Sequence, residues 1–231
     1  RKAFQRIQVT IGIENDPFDY YAFQKKLKRK YHFPMCYFVL SGQPSDKDHN
    51  LPPHSKGFQS LVRKIGRFSK IGIHPSYFSN ESVAIIKKEI GNIETCYENK
   101  IKASRQHFIR LRFPHTYRQL IEAGVETDYS MGYPSLSGFR AGIAEPYLFY
   151  DLEQETITNL KIKPFQIIDT GLKDYQKLDS ENALSEMIRI AEDVKIVNGL
   201  LISIFHDRTF APSDEKPSWK NVYQSFIKSL Y

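Results

Sequence analysis

Four apolar runs in this sequence end on side chains that can carry out acid–base or metal chemistry. They are Val9 to Glu14, Lys70 to His74, Pro164 to Asp169, and Leu200 to Asp207, the last of which ends in His206-Asp207. Carboxylates and imidazoles together supply metal ligands and groups that move protons, which is the chemistry of a hydrolase. Four endings of this kind predict one shared pocket.

His206 is the predicted general acid, because an imidazole at a strand end can protonate a leaving amine or alkoxide. Asp169 is predicted to orient His206 or His74 as a neighbouring carboxylate, or to cap the turn that follows it. A histidine held in the core by hydrogen bonds is the structural alternative for His206.

His74 is a candidate metal ligand, and its partners would be Glu14 and His107. Because Pro75-Ser76 follows it directly, its ring is expected in the loop layer above the sheet. The structural alternative is a strand-end histidine that bonds a backbone carbonyl.

Arg105 and Arg140 are candidate carboxylate-binding cations, because a guanidinium can form two parallel hydrogen bonds with a carboxylate. Arg105 lies in the stretch Lys102 to Arg112, whose alternation predicts a strand, and Arg140 lies in the stretch Gly138 to Gly142. An ordinary salt bridge is the alternative for each arginine.

The apolar runs are typical of buried parallel strands, whose carboxyl-terminal ends carry the working groups of α/β proteins. Amphipathic stretches between them predict helices, and this alternation favours a parallel sheet or barrel. Those stretches are 58–68, 83–97, 114–123, 183–197 and 219–230. Ser218 is predicted to cap the last helix, and Gly199 to stop the one before it. Ser41 to Lys56 and Asp128 to Leu148 are predicted to be long loops.

The 231 residues, of which 41% are hydrophobic, are enough for one α/β domain spanning residues 1–231. No stretch of 18 apolar residues is present, so no membrane span is predicted. The sequence opens on Arg1 rather than Met, and we expect it to begin inside a longer protein. Cys36 and Cys96 are too few for a disulfide framework, which favours a reducing cytoplasm.

The net charge of +7 is spread along the chain rather than gathered into a nucleic-acid-binding pattern. Lys25 to Lys30 is the only dense basic run, and the sequence contains no RNA- or DNA-binding motif. The run is predicted to be a solvated helix face, and no nucleic-acid partner is expected.

The order and spacing of several motifs resemble the polysaccharide deacetylase family with the NodB-homology domain, also described as carbohydrate esterase family 4. The motifs are Gly12 to Glu14, Gly72 to Ser76, Ser104 to Phe108, Asp128 to Tyr133, Gly138 to Gly142, Pro164 to Asp169, and Leu201 to Asp207. They extend over nearly the whole chain. The resemblance implies an irregular (β/α) barrel and metal-dependent removal of N- or O-acetyl groups from a carbohydrate in bacterial surface-polysaccharide metabolism.

The resemblance also implies roles for individual residues. His206 takes the place of the acid, Asp169 that of its paired carboxylate, and Arg105 that of the arginine that holds the base. Zn²⁺ or a similar divalent ion is expected on Glu14, His74 and His107. The carbohydrate is expected against a further set of side chains, namely Arg140, Tyr133, Tyr77 and Trp219.

The first motif and the metal-binding histidines depart from the family pattern. The most direct register places Gly12 where the family has its base aspartate and Glu14 where it has its metal aspartate. Phe78 stands where the second of two histidines, four residues apart, belongs. A shifted register lets Asp16 serve as ligand or base, with His107 completing the set. Loss of a general base typically costs about 10²–10⁴-fold in rate.

These departures leave three functions open. The first is a metal-dependent deacetylase, and the second is a non-catalytic relative that binds a sugar without a metal. Gly12 and Phe78 favour the second function. The third is a different barrel hydrolase with its own metal arrangement, which requires His74 and His107 to be neighbours.

Overall fold

The computed structural model describes residues 8–9, 13, 16, 18–211 and 217–231, and helices alternate with strands along most of them. The helices are α1 (Tyr21–Tyr31), α2 (Lys56–Gly66), α3 (Val83–Glu94), α4 (His115–Glu122), α5 (Ser180–Ile196) and α6 (Trp219–Leu230). The strands are β1 (Cys36–Val39), β2 (Lys70–Ile73), β3 (Ala103–Ser104), β4 (Thr127–Asp128), β5 (Tyr147–Asp151), β6 (Thr156–Ile162), β7 (Ile167–Ile168) and β8 (Ser203–Ile204). The predicted α/β class is confirmed.

The described strands form two sheets. Six strands lie in the order β1-β2-β3-β4-β6-β5, and β7 pairs with β8. All neighbouring pairs are parallel except the antiparallel hairpin of β5 and β6. The amide of Phe165, just before β7, donates to the Met131 carbonyl at 3.0 Å, which ties the second sheet to the loop after β4.

The parallel ladder continues beyond the ends of the short strands. His74 N donates to Val39 O at 2.9 Å, Arg105 N to Ile73 O at 3.0 Å, and Tyr129 N to Ser104 O at 2.8 Å. Because each of these amides belongs to a residue just after a strand, the residues that follow β2, β3 and β4 lie at one edge of the sheet. This edge is the carboxyl-terminal one, where α/β proteins place their functional groups.

Side-chain caps explain where several helices begin. The Ser55 hydroxyl accepts from Phe58 N at the start of α2, and the Asp179 carboxylate accepts from Asn182 N at the start of α5. Ser218 caps α6 by accepting from Asn221 N, as predicted. Each cap provides a partner for one of the amides that a helix N-terminus leaves without an intrahelical bond.

The helices cover the sheets through separate apolar clusters. One cluster joins β2 to α2, α3 and α4 around Val62, Ile73 and Ile93, each of which is 0% exposed. A second joins β7 to α5 and α6 around Met187 and Phe226. Because helices pack on both sheets, the strands are held as a rigid base from which the following loops extend.

The strand predicted after β2 is shorter in the structure than its alternation indicated. Only Ala103–Ser104 of the stretch Lys102 to Arg112 is a strand, because Phe108 and Ile109 take φ values of 55° and 53° and turn the chain. The predicted stop of helix α5 at Gly199 is confirmed: the helix ends at Ile196, Asn198 takes the left-handed conformation at φ 51°, and Gly199 N donates to Val194 O at 2.9 Å.

The first apolar run, Val9 to Glu14, lies mostly outside the described residues, and so does Glu14 itself. Of the described residues in this run, Val9 is helical and Ile13 is 68% exposed. The described part of this run is therefore not the buried strand that we predicted. Both cysteines are free thiols, and no described helix is long and apolar enough to cross a membrane.

Candidate active site

Three histidines from different strand ends line one cavity. His74 follows β2 directly, His107 lies in the turn after β3, and His206 lies two residues after β8. Arg105, directly after β3, lines the same cavity. The structure therefore brings together predicted site residues that lie up to 132 positions apart in the sequence.

Asp169 and His206 form a closely bonded pair across β7 and β8. The parallel register pairs Ile168 with Ile204, so the residues that follow these two strands are neighbours. His206 Nδ1 donates to Asp169 Oδ1 at 2.7 Å, and His206 N donates to Asp169 Oδ2 at 2.7 Å. Because the carboxylate accepts from Nδ1, the ring leaves its Nε2 free to exchange a proton with a ligand in the cavity.

Asp169 has further partners that hold it in place. It is 0% exposed, and the Thr209 hydroxyl donates to its Oδ2, while Thr170 N donates to Oδ1 at 2.8 Å. Asp169 therefore orients His206, as one of the sequence interpretations proposed, and it also bonds the amide of the residue that follows it. Its several donors compensate for the burial of the carboxylate.

His74 donates its Nδ1 proton to the backbone carbonyl of Arg105. This is the bond that the structural alternative proposed, and it also leaves Nε2 without a proton and available as a ligand. Burial, helped by the neighbouring His107, lowers the pKa of His74 to about 3. The ring is therefore neutral at physiological pH.

His107 and Asp48 form a second aspartate–histidine pair. His107 Nδ1 lies 2.8 Å from Asp48 Oδ1, and Asp48 is 1% exposed. The His107 ring lies beside that of His74, with 4.9 Å between the ring centroids. Burial lowers the pKa of His107, although the bond to Asp48 acts in the opposite direction. The adjacency that the third function requires is therefore present.

Two buried carboxylates hold the turn that follows His74. Ser76 N donates to Glu89 Oε2 at 3.0 Å, and Tyr77 N donates to Asp48 Oδ1 at 3.0 Å. Glu89 extends from α3, and burial raises its pKa. These bonds tie the cavity edge to the helix layer and to the loop between β1 and α2.

Arg105 lies against aromatic rings rather than in a salt bridge. Its guanidinium carbon is 4.3 Å from the centroid of Phe38, and its Nε donates to the Tyr129 carbonyl at 3.2 Å. Burial lowers the pKa of Arg105 to about 10, so it remains a cation at neutral pH. Among the described residues no carboxylate lies within ion-pair distance of Arg105. Arg105 therefore forms neither the paired hydrogen bonds to a carboxylate nor the ordinary salt bridge with any of them.

Asp128, the last residue of β4, supports the segment that carries His107. Its Oδ2 accepts from the Ser104 and Ser130 hydroxyls at 2.7 and 2.8 Å, and the Ser130 hydroxyl in turn accepts from Gln106 N at 2.8 Å. This buried chain of hydrogen bonds fixes the backbone on both sides of Arg105.

Of the remaining predicted metal and base residues, Glu14 lies outside the described residues, and Asp16 has no bond to the histidines. Asp16 is exposed on the cavity wall, and its carboxylate accepts from Phe18 N within its own turn at 2.9 Å. Phe78 is 46% exposed, as suits a residue that cannot ligate a metal. Within the described ranges, no three His, Cys, Asp or Glu side chains form a ready metal site.

The four predicted sugar-binding residues fall in different surroundings. Trp219 is 2% exposed inside the cluster of α5 and α6, so the prediction that it binds the sugar was wrong. Arg140 donates to the Gly132 carbonyl at 3.2 Å, and neither Arg140 nor the 40% exposed Tyr133 lines the cavity. Tyr77 lies beside the site, and the guanidinium carbon of Arg110 is 3.9 Å from the centroid of its ring.

Asp48 is the site residue that sequence reasoning missed. It lies in the loop Ser41 to Lys56, whose Pro, Ser and Asp content indicated only an irregular surface segment. No hydrophobic period surrounds it, and it lies 59 positions before His107 in the sequence. The sequence therefore carries no signal that this aspartate, rather than Asp46 beside it, would be buried.

Two kinds of proton chemistry are within reach of this cavity. His206 can release or take up a proton at Nε2 while Asp169 stabilises its cationic form. His74 and His107 each have Nδ1 bonded to an acceptor, which favours an unprotonated Nε2 that can bind a divalent ion.

Comparisons with known proteins identify a fold and no sequence relative. No family model matches this chain, and no curated protein matches its sequence. A Mycobacterium smegmatis structure, provisionally classed as a polysaccharide deacetylase, aligns with a TM-score of 0.62 at 15% identity, over 89% of this chain and 68% of that one.

Two structures of mutants of a CE4-family pseudoenzyme, one with restored enzymatic activity, align with TM-scores of 0.52 at 13% and 12% identity. They cover 93% and 94% of this chain, which spans 58% and 59% of theirs. The likeness confirms the fold that the sequence motifs implied, and this chain has a polysaccharide deacetylase-type fold.

Proposed function

We propose that this protein removes acetyl groups from a bacterial surface carbohydrate with the help of a divalent metal ion. The observation that carries the proposal is the grouping of the Asp169–His206 pair with the neighbouring rings of His74 and His107 in one cavity. The deacetylase-type fold supports the same reaction class.

The donor set at the two neighbouring rings fits a divalent ion. In each ring Nδ1 is held by an oxygen acceptor, so each offers a neutral Nε2, which is the form in which histidine binds Zn²⁺. His74 and His107 would hold the ion, together with a carboxylate from the first motif. Glu14 is the candidate in the direct register and Asp16 in the shifted one. A bound ion would polarise the acetyl carbonyl and lower the pKa of a water molecule.

His206 would act as the acid in this reaction. Its Nε2 would give a proton to the departing amine or hydroxyl of the sugar, while Asp169 stabilises the imidazolium and fixes the ring. Arg105 would hold an anionic oxygen near the reacting carbon, because its guanidinium is charged and lies on the cavity wall.

Metal content is the first test of the proposal. Purified protein is stripped with a chelator, incubated with excess zinc and desalted, and its metal content is then measured by elemental analysis. We expect about one equivalent in the wild type, a loss in His74→Ala and His107→Ala, and no change in His54→Ala, whose histidine is exposed in the loop before α2. Absence of metal from the wild type would contradict the proposal.

Acetate release gives the second test. Acetylated chito-oligosaccharide is incubated with zinc-loaded protein, and release is expected to stop when the chelator is added. If the protein binds zinc but releases no acetate from this or an O-acetylated substrate, metal binding stands and the proposed hydrolase activity is contradicted.

A sugar-binding protein without activity is the second candidate, and one specific observation favours it. Phe78 occupies the place of a metal-binding histidine, and its ring packs against Tyr77 at 5.3 Å between centroids. Two of the structural neighbours are mutants of a pseudoenzyme. Such a protein would bind carbohydrate through aromatic faces and hydrogen bonds, so chelator would leave its affinity unchanged.

A further inference from the structure

The buried carboxylate of Asp48 touches the surroundings of both neighbouring histidines. Its Oδ1 lies 2.8 Å from His107 Nδ1 and 3.0 Å from Tyr77 N, which belongs to the turn after His74. Tyr77 N also lies 3.2 Å from Oδ2. One side chain therefore connects the His107 ring with the segment that carries His74.

Asp48 is itself held by its own loop. The Ser45 hydroxyl donates to Asp48 Oδ2 at 3.0 Å, and the amide of Asp48 donates to the Ser45 hydroxyl oxygen at 3.0 Å. Ser45 N donates to the Asp48 carbonyl at 3.0 Å. These bonds close a tight turn that fixes the direction of the carboxylate.

The loop is anchored in turn to α3. The Ser41 hydroxyl, 0% exposed, donates to the Glu89 carbonyl at 2.8 Å, and Asn92 Nδ2 donates to the Ser41 carbonyl at 2.8 Å. Glu89 also accepts from Ser76 N. The same helix thus holds both the loop of Asp48 and the turn after His74.

We propose that Asp48 is a positioning residue that holds His107 in the Nδ1-protonated tautomer and sets its spacing from His74, so that both rings present an unprotonated Nε2 to one metal ion. The inference rests on the proposed function for the metal, but the tautomer of His107 belongs to the metal-free protein. A carboxylate behind a ligating histidine raises its basicity and fixes its orientation, and its loss typically weakens metal binding by about 10–100-fold.

Two substitutions separate the charge of Asp48 from its shape. Asp48→Asn keeps a carbonyl oxygen for His107 and Tyr77, and its amide can donate to the Ser45 hydroxyl, so the loop is expected to keep its conformation. Asp48→Ala removes both the charge and the acceptor. Asp46→Asn is the matched control, because Asp46 lies in the same loop and its side chain is 74% exposed.

Metal affinity is measured with Co²⁺ and Zn²⁺ on all four proteins by competition with a chromophoric chelator. Asp48→Asn is expected to weaken binding about tenfold and Asp48→Ala by up to about 100-fold, with Asp46→Asn unchanged. Equal affinities in wild type and Asp48→Asn would overturn the assignment. If the wild type binds neither ion, the proposed function fails, and the tautomer below still decides the role of Asp48.

The tautomer is read from ¹⁵N chemical shifts of the imidazole nitrogens in metal-free wild type, assigned with His107→Gln. Protonation at Nδ1 of His107 at pH 7.5 is expected, and its conversion towards the Nε2-protonated form in Asp48→Ala. A histidine that Asp48 supports only through the backbone would keep one tautomer in both proteins. That result, or Nε2 protonation in the wild type, would overturn the inference.

Discussion

Two aspartate–histidine pairs reach the same cavity, and they are built in different ways. Asp169 and His206 follow adjacent parallel strands, so the sheet register itself brings them together. Asp48 and His107 come from a loop and a turn, and the loop is held by its own turn at Ser45 and by its anchor on α3. The first pair therefore depends on the sheet, whereas the second depends on local contacts that can be changed one at a time.

The largest expected difference between the two pairs is in their effects on acetate release and zinc content. We expect His206→Gln to lower acetate release by about 10²–10⁴-fold, because the leaving group loses its proton donor. Its zinc content should stay at the wild-type level, whereas His107→Gln should lose zinc. Acetate release and elemental analysis on the same samples check this. Wild-type activity in His206→Gln would contradict a catalytic role for the Asp169–His206 pair.

Stability should also separate the two pairs. Asp169→Ala is expected to lower the free energy of unfolding by about 3–5 kcal/mol, because it leaves buried donors of His206 and Thr209 without their acceptor. Asp48→Ala should cost less, about 1–3 kcal/mol, because its loop can open to water. Urea denaturation of both variants measures the difference. Equal losses would contradict the distinction between sheet and loop.

Lowering the pH should destabilise the folded protein through His74, the histidine beside the Asp48–His107 pair. The folded pKa of His74, about 3, lies below its ordinary value of 6.5, so between these values the unfolded chain binds a proton that the folded protein does not. The free energy of unfolding should therefore fall as pH drops below 6.5, by up to about 1.4 kcal/mol per pH unit.

The measurement compares metal-free wild type with His74→Gln between pH 7.5 and 5 by urea denaturation. His74→Gln should lose less stability on acidification, because its side chain does not titrate. Parallel curves for the two proteins would show that His74 is not the group responsible.

The smallest expected effect tests the turn behind Asp48. Ser45→Ala removes the hydroxyl that donates to Asp48 Oδ2 and accepts from Asp48 N. We expect a loss of about 0.5–1.5 kcal/mol in the free energy of unfolding, because the turn is partly open to water. Asp46→Ala in the same turn should change it by less. A larger loss in Asp46→Ala would mean that the turn is held in another way.

The fold and the first pair could be predicted because they follow from local patterns. Strand β2 and helix α6 have the predicted limits, and their apolar spacing is that of a buried strand and a one-sided helix. His74, Asp169 and His206 follow such strands directly or nearly so. Parallel strands deliver their last residues to one edge, so the shared cavity follows from the pattern.

The second pair could not be predicted, because tertiary contacts decide it. Nothing local distinguishes Asp48 from Asp46, and contacts with residues distant in the sequence, His107 and Tyr77, accompany the burial of Asp48. The alternation after Ser104 indicated a longer strand, but those side chains line a cavity instead of a sheet face. Trp219 was assigned to the sugar by residue type alone, and burial overrode that assignment.

The anchoring of the loop on α3 has a consequence for how the proposed activity would be lost on heating. Local opening of residues 41–55 would separate Asp48 from His107 while the strands and helices stay packed, and such openings need less free energy than global unfolding. On heating, the protein would then populate a folded but inactive state before it unfolds. Activity would then be lost at a lower temperature than the melting temperature of the fold. A ligand that binds both His74 and His107 would reduce the difference between the two temperatures.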